Sequence, residues 1–321
     1  MAAVIALNCE QKRLCQPQAC RSPRADGVRA QRAKKSAQGS RDGTTSCGGR
    51  RFKGAAHQSI SSHAGDGWAG LISNVSFSLE QFIAVLGACE EIGHPHVLIG
   101  GQAVYFWATR YVDEETSLEQ LRPFTSSDID FHGGRTDVLR LAEKLGRRAE
   151  FPPAHVLTSL VGMIPLTIGN ARSSVEFVRQ VAGVKAGDIS KFAVEREFNG
   201  TKIRVLDPIS LMIGKTNLAL TVDQKQRRDV DHLRIMVVCT RAFLRETLAG
   251  VEAGELPARG WLGAVERVLK LAESADGKKA ARKLRVVWRE ALPEKEIATS
   301  EHRLVAQFRR VRLPHWLEKQ K

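Results

Sequence analysis

Apolar and polar positions follow two regimes along this chain, and the change falls near residue 74. Over residues 1–73 Arg, Lys, Gly, Ser, Ala and Gln dominate, and the apolar positions show little period. Such a stretch buries too little surface to offset the entropy of ordering it. From Phe77 onward periodic segments appear. Ser78 is placed to open a helix whose apolar positions include Phe82, Ile83, Leu86 and Ala88. Residues 96–101 read as a buried strand closed by the turn Gly100-Gly101, with a helix over 102–108 directly after it. A second strand-like run covers 126–131 and ends at Gly133-Gly134, and a helix is predicted over 136–147 from Val138, Leu139, Leu141, Ala142 and Leu145. Residues 173–178 form a further short strand.

Residues 191–198 and 201–206 flank Asn199-Gly200, a dipeptide that suits a type I′ hairpin turn. Asp207-Pro208 then supplies an N-cap and a first-turn proline. Helical spacing continues over about 208–221, 226–248, 258–275, 277–291 and 299–311. The expected class is α+β: a mixed sheet flanked by helices, followed by a C-terminal helical region. The expected division is a basic tail over 1–73, a core over 74–206 and helices over 207–321.

Composition narrows the classes of function. The 321 residues suffice for about two domains, and 43% hydrophobic with 26% charged residues suits a soluble, cytoplasmic, globular protein. No apolar run approaches the roughly 20 residues that span a bilayer. The net charge of +14 favours polyanionic partners, nucleic acid above all. About half of that excess sits in the tail. Arg50-Arg51 is followed by residues that are not an apolar core, which argues against a secretory signal. Disorder, a transit segment, non-specific RNA contact and a start set too far upstream all stay open for the tail. Of six cysteines, Cys9, Cys15, Cys20 and Cys47 lie in it without a CxxC pair, so reduced thiols and a zinc site are the two readings. Cys89 and Cys239 fall in helical apolar patterns and read as small core residues.

Chemistry concentrates around Asp128-Ile129-Asp130-Phe131. Alternation along a strand sends Asp128 and Asp130 to one face. Two like charges so close are costly without a cation or proton between them. Oxygen-only ligands favour Mg2+ or Mn2+ over zinc. The strand, glycine turn and helix start at Gly100-Gly101 suit an anion, although a tight turn alone also explains two glycines. Glu176, between Val175 and Phe177, is either exposed at an edge or serves a cation. Thr125, Ser126 and Ser127 are placed to bond a phosphate or to cap the turn. His132 reads as a structural histidine.

Taken in order, Gly100-Gly101, a helix, Asp128-x-Asp130 and Glu176 resemble the nucleotidyltransferase superfamily of the DNA polymerase β type. Within it the sequence is most similar to the AbiEii-like toxin nucleotidyltransferases of bacterial toxin–antitoxin and phage-abortive systems. Residues 205–215 are similar to their strand followed by a helix with an inward lysine, here Lys215. Arg227-Arg228-Asp229-Val230-Asp231-His232-Leu233 is similar to their basic-Asp motif. The resemblance spans about residues 78–240. Two departures stand out. The segment between Gly101 and Asp128 is long, which implies an inserted loop. Arginines also replace the usual lysine beside an irregular Asp spacing, so Asp229 and Asp231 cannot be told apart.

The resemblance implies a nucleotidyltransferase-type fold that binds a nucleoside triphosphate. Asp128 and Asp130 would hold two Mg2+ (or Mn2+) ions, and Glu176 would complete that site and help deprotonate an attacking hydroxyl. Gly100 and Gly101 would cradle the β,γ-phosphates, with Ser127 and Lys215 as further nucleotide-binding groups. Lys215 also reads as a surface lysine. The acceptor would be RNA or protein, and an antitoxin protein a partner. Two other readings stay open: a non-catalytic module of the same fold that binds RNA or a partner, and an antibiotic-modifying adenylyltransferase. Lys278-Lys279, Arg282-Lys283-Arg285 and Arg309-Arg310-Arg312 either track an RNA backbone or are solvated helix faces.

Overall fold

A computed structural model of the chain describes residues 75–93, 96–225 and 227–319. The readings placed on residues 1–73, including the four cysteines there, lie outside the described residues. In chain order the elements are α1 (Ile83–Glu91), β1 (Val97–Ile99), α2 (Gly100–Tyr111), β2 (Ile129–His132), α3 (Arg135–Lys144), β3 (Leu160–Ile168), β4 (Ala171–Val178), α4 (Ala186–Lys191), β5 (Ala193–Phe198), β6 (Thr201–Leu206), α5 (Pro208–Thr221), α6 (Asp229–Glu252), α7 (Ala258–Glu273), α8 (Ala275–Leu284), α9 (Glu294–Thr299) and α10 (Arg303–Glu318).

The six strands form one sheet in the order β3-β4-β2-β1-β6-β5. β1 is central, parallel to β6 and antiparallel to β2, and β2 runs parallel to β4. All three residues of β1 are buried, as a strand covered on both faces requires. β2 instead alternates: Ile129 and Phe131 are buried, whereas Asp130 and His132 stay half-buried. The α+β class holds, with helices flanking a mixed sheet and further helices after it.

Local signals set several boundaries. Asn199 (φ 49°) and Gly200 (φ 79°) both take the left-handed conformation that a type I′ turn needs, and β5 pairs with β6 across them. Asp207 caps α5 by accepting the Ser210 amide at 2.7 Å, and Pro208 opens that helix. α2 is buried along most of its length. Its Trp107 indole donates to the Leu206 carbonyl at 2.9 Å and its ring packs on Tyr111 and Phe243. The buried apolar cluster runs without a break from the sheet into the later helices, where Trp261, Trp288 and Trp316 are almost wholly enclosed. Cys89 and Cys239 are buried free thiols, as expected.

The structure differs from the sequence reading in several places. β3 went unrecognised because Gly162 and Pro165 argue against a strand. It lies at the sheet edge, where proline costs no ladder bond, and Phe151 covers Gly162. The helix expected over 277–291 stops at Leu284, where Arg285 turns left-handed, and resumes as a 3-10 turn over Trp288–Ala291. α9 was not foreseen, and α10 extends to Glu318 past Pro314. The acidic segment after α2 holds a 3-10 turn over Thr116–Leu121, and the buried Glu115 is gripped by Arg241 and Arg245 of α6. Among the described residues no helix is long and apolar enough to cross a membrane.

Candidate active site at the start of the second helix

β1 passes straight into α2 at Gly100, whose φ of +68° lies in the left-handed region. A Cβ at Gly100 would sit 1.8 Å from Asp130 Oδ2, so the position is barred to side chains twice over. Gly101 answers to different neighbours: a Cβ there would lie 2.5 Å from Ser126 Oγ and 3.6 Å from His232 Cε1. Replacing Gly100 with Ala is expected to cost about 2–4 kcal/mol, combining left-handed strain with overlap on Asp130. A lower urea midpoint at unchanged m-value is the measurement.

Sheet register brings the carboxylates together. Ile99 pairs with Asp130 across β1 and β2, and Asp130 pairs with Glu176 across β2 and β4. Paired residues share a face, so Asp130 and Glu176 project side by side next to the first turn of α2. β4 is an inner strand, which removes the edge explanation for Glu176. Asp128 lies on the bend just before β2 rather than within the strand. Its carboxylate still acts on both of the others. Ser126 Oγ donates to Asp128 Oδ1 at 3.1 Å and Ser174 Oγ donates to Glu176 Oε1 at 3.3 Å.

The electrostatics follow from that crowding. Burial, then the charges of Asp128 and Glu176, hold the Asp130 carboxyl well above the usual carboxylate range, against the pull of Lys215 and the Gly101 amide. Burial and then Asp128 push Glu176 up to about 7. A carboxyl raised on folding binds its proton more tightly when folded. The contribution of Glu176 to stability is therefore full at acid pH and is lost as pH rises from the unfolded value of 4.5 through about 7. In chelator, the protein is expected to lose about 3 kcal/mol across that window from Glu176. Glu176→Gln should flatten the profile, and denaturant titrations between pH 4.5 and 8 would read it.

The donor set suits a hard divalent cation, being oxygen-only with two carboxyls raised by burial and then by the neighbouring Asp128 charge. Among the described residues, no three His, Cys, Asp or Glu side chains already form a finished metal cage.

Lys215 is neither a surface lysine nor unpaired. It is buried on α5 and donates to Asp229 Oδ1 at 2.9 Å, while Arg227 donates to Asp229 Oδ2 at 2.6 Å. Burial works against the Asp229 charge, but Lys215 and Arg227 outweigh it and hold the carboxyl down to about 2. Asp229 is thus distinguished from Asp231, which is exposed enough to meet only Arg228 and Arg234 at 3.7 and 3.5 Å. Ser127 is exposed, and its carbonyl accepts Ser173 Oγ at 2.7 Å; it is the neighbouring Ser126 that packs on Gly101. His132 sits at the far end of β2, its pKa lowered by burial.

The structure therefore gathers Gly100, Gly101, Asp128, Asp130 and Glu176, with Lys215 near enough to act on Asp130. Sequence reasoning missed Tyr105 and His232, whose Oη and Nε2 lie 2.6 Å apart. The available signal was spacing: Tyr105 is four residues beyond Gly101 and His232 three beyond Asp229, each on one helix face.

No protein-family model and no curated protein sequence matches the chain. Among solved structures, it is similar to the antibiotic-resistance factor ANT(2'')-Ia at 16% identity and a TM-score of 0.35, over 59% of this chain and 94% of that one. A Megavirus polyadenylate synthase is similar at 13% identity and a TM-score of 0.33, over 50% of this chain but only 31% of the viral enzyme. An antigenic nucleotidyltransferase-like protein from Paracoccidioides brasiliensis gives 12% and 0.31, over 51% of this chain and 78% of that one.

Proposed function

We propose that the protein is a metal-dependent nucleotidyltransferase that moves a nucleoside monophosphate from a nucleoside triphosphate to an acceptor hydroxyl. The observation that carries this reading is the pair of raised carboxyls, Asp130 beside Glu176, with the Asp128 charge acting on both, set against a side-chain-free helix start. Asp128, Asp130 and Glu176 would hold Mg2+ or Mn2+, which when bound offsets charge on phosphoryl oxygens. Glu176, paired with Asp130 across β2 and β4, is placed to take a proton from the acceptor hydroxyl. The absence of side chains at Gly100 and Gly101 lets phosphates approach the backbone. Lys215, anchored by Asp229, adds positive field beside Asp130.

The exposed cations of the α8 region (Lys278, Arg282, Lys283 and Arg285) form no ion pairs among the described residues and favour a polyanionic acceptor, RNA before protein. A toxin-type enzyme of the AbiEii-like kind, held in check by an antitoxin, is the finer reading that the sequence motifs support. Purified protein incubated with each radiolabelled nucleoside triphosphate, Mg2+ and total cellular RNA or protein tests it. Transfer of label names the nucleotide and acceptor together. No transfer to any acceptor, with RNA still bound, would sink the enzyme reading in favour of a binding module.

A further inference from the structure

His232, near the start of α6, is buried and carries one ring nitrogen with no partner. Nε2 lies 2.6 Å from Tyr105 Oη, while Nδ1 is enclosed and unbonded. Counting orphans assigns the tautomer. If Tyr105 donates, its proton and the Nε2 lone pair are both satisfied, and the ring proton resides on Nδ1. If His232 donated instead, the buried tyrosine proton and the Nδ1 lone pair would both be stranded. The first arrangement leaves a single unmatched group, an N–H donor, and buried donors are seldom left so.

The place of the ring indicates what that donor meets. The ring edge at Cε1 faces Gly101, 3.6 Å from where a Cβ would stand, at the N-terminus of the twelve-residue α2. Gly100 faces the carboxylates, whereas Gly101 faces Ser126 and His232, so the imidazole lies on the other side of the glycine turn. Burial, then Lys215, keeps its pKa well below the ordinary histidine range, with Arg228 and Arg227 acting the same way and Asp229 opposing. A neutral donor amid three cations at a helix start matches an oxyanion. Arg228 adds its guanidinium 6.0 Å over the Tyr105 ring.

We propose that the Nδ1–H of His232 donates to a non-bridging phosphoryl oxygen of a nucleotide held at the start of α2, with Tyr105 fixing the tautomer that makes this donor. His232 is then a phosphate-binding group and Tyr105 a positioning residue. This rests on the nucleotidyltransferase reading above.

Inorganic tripolyphosphate binding to the full chain, by calorimetry in Mg2+ at neutral pH, is the direct probe. In His232→Asn the amide nitrogen takes roughly the place of Nδ1, and in His232→Gln that of Nε2. Tripolyphosphate affinity is expected to fall about tenfold or more in His232→Gln and to stay within about threefold in His232→Asn. In nucleotide transfer, KM for the triphosphate should rise more than kcat falls. Tyr105→Phe, which removes one hydroxyl, should give a smaller loss in the same direction and stands in if His232→Gln does not fold. Equal affinity in wild type and folded His232→Gln, or in wild type and Tyr105→Phe, overturns the inference. Absence of tripolyphosphate binding in wild type also overturns it. If wild type transfers label and His232→Gln does so equally well, this inference alone is lost. Wild type that binds tripolyphosphate through His232 but transfers nothing loses the transferase reading alone.

Discussion

Asp128→Asn is expected to cut nucleotide transfer about a hundred- to a thousandfold while leaving the metal-free protein more stable. The first half follows from the role proposed for the site: a carboxylate that holds a divalent ion contributes several kcal/mol to charge stabilisation in transfer, and each 1.4 kcal/mol is tenfold in rate. The second half follows from the geometry alone. Asp128 raises both Asp130 and Glu176, so its charge works against the folded state when no cation is present. Removing it should stabilise the protein in chelator by about 1 kcal/mol, read as a higher urea midpoint. A variant that is less active and also less stable would show that Asp128 is merely structural. One that keeps full activity would remove the site from the chemistry.

Asp229→Ala should be the most damaging single change to stability. Asp229 is 2% exposed and is the acceptor for both Lys215 and Arg227. Deleting it strands the Lys215 ammonium in a buried position, a loss of about 3–5 kcal/mol. The pair matters less than its breaking: a Lys215→Met, Asp229→Leu double variant should recover much of that loss, because matched apolar groups often replace a buried ion pair at little cost. Chemical denaturation of Lys215→Met, Asp229→Leu and the double variant provides the cycle. Activity separates the roles further. Stability restored without transfer places the Lys215 charge in the chemistry, while stability and transfer restored together make it scaffolding.

Much of the site was legible before any fold was known, and the legible part is local. Gly100-Gly101 between an apolar run and a helical run, and Asp128-x-Asp130 before a glycine pair, are signals contained within a few residues. The same holds for the Asn199-Gly200 hairpin and the Asp207-Pro208 cap, which the structure reproduces to the residue. Where local signals conflict, reading failed. Gly162 and Pro165 hid β3, because their cost depends on whether the strand is central or at an edge. Glu115 lies in the stretch expected as an inserted loop, and the arginines that close over it, Arg241 and Arg245, stand more than a hundred residues on.

Residue types, their spacing and the turns were enough to establish an α+β chain with acidic side chains near a glycine-led helix. Backbone preferences and alternation act over neighbouring residues, and those are written in order along the chain. Which of those groups meet is a different matter. The row Ile99–Asp130–Glu176, the choice of Asp229 over Asp231, the place of Ser126 rather than Ser127 against Gly101, and the Tyr105–His232 contact all depend on strand register and helix docking. So do the raised carboxyls, since desolvation and charge repulsion exist only once distant segments enclose the same few ångströms.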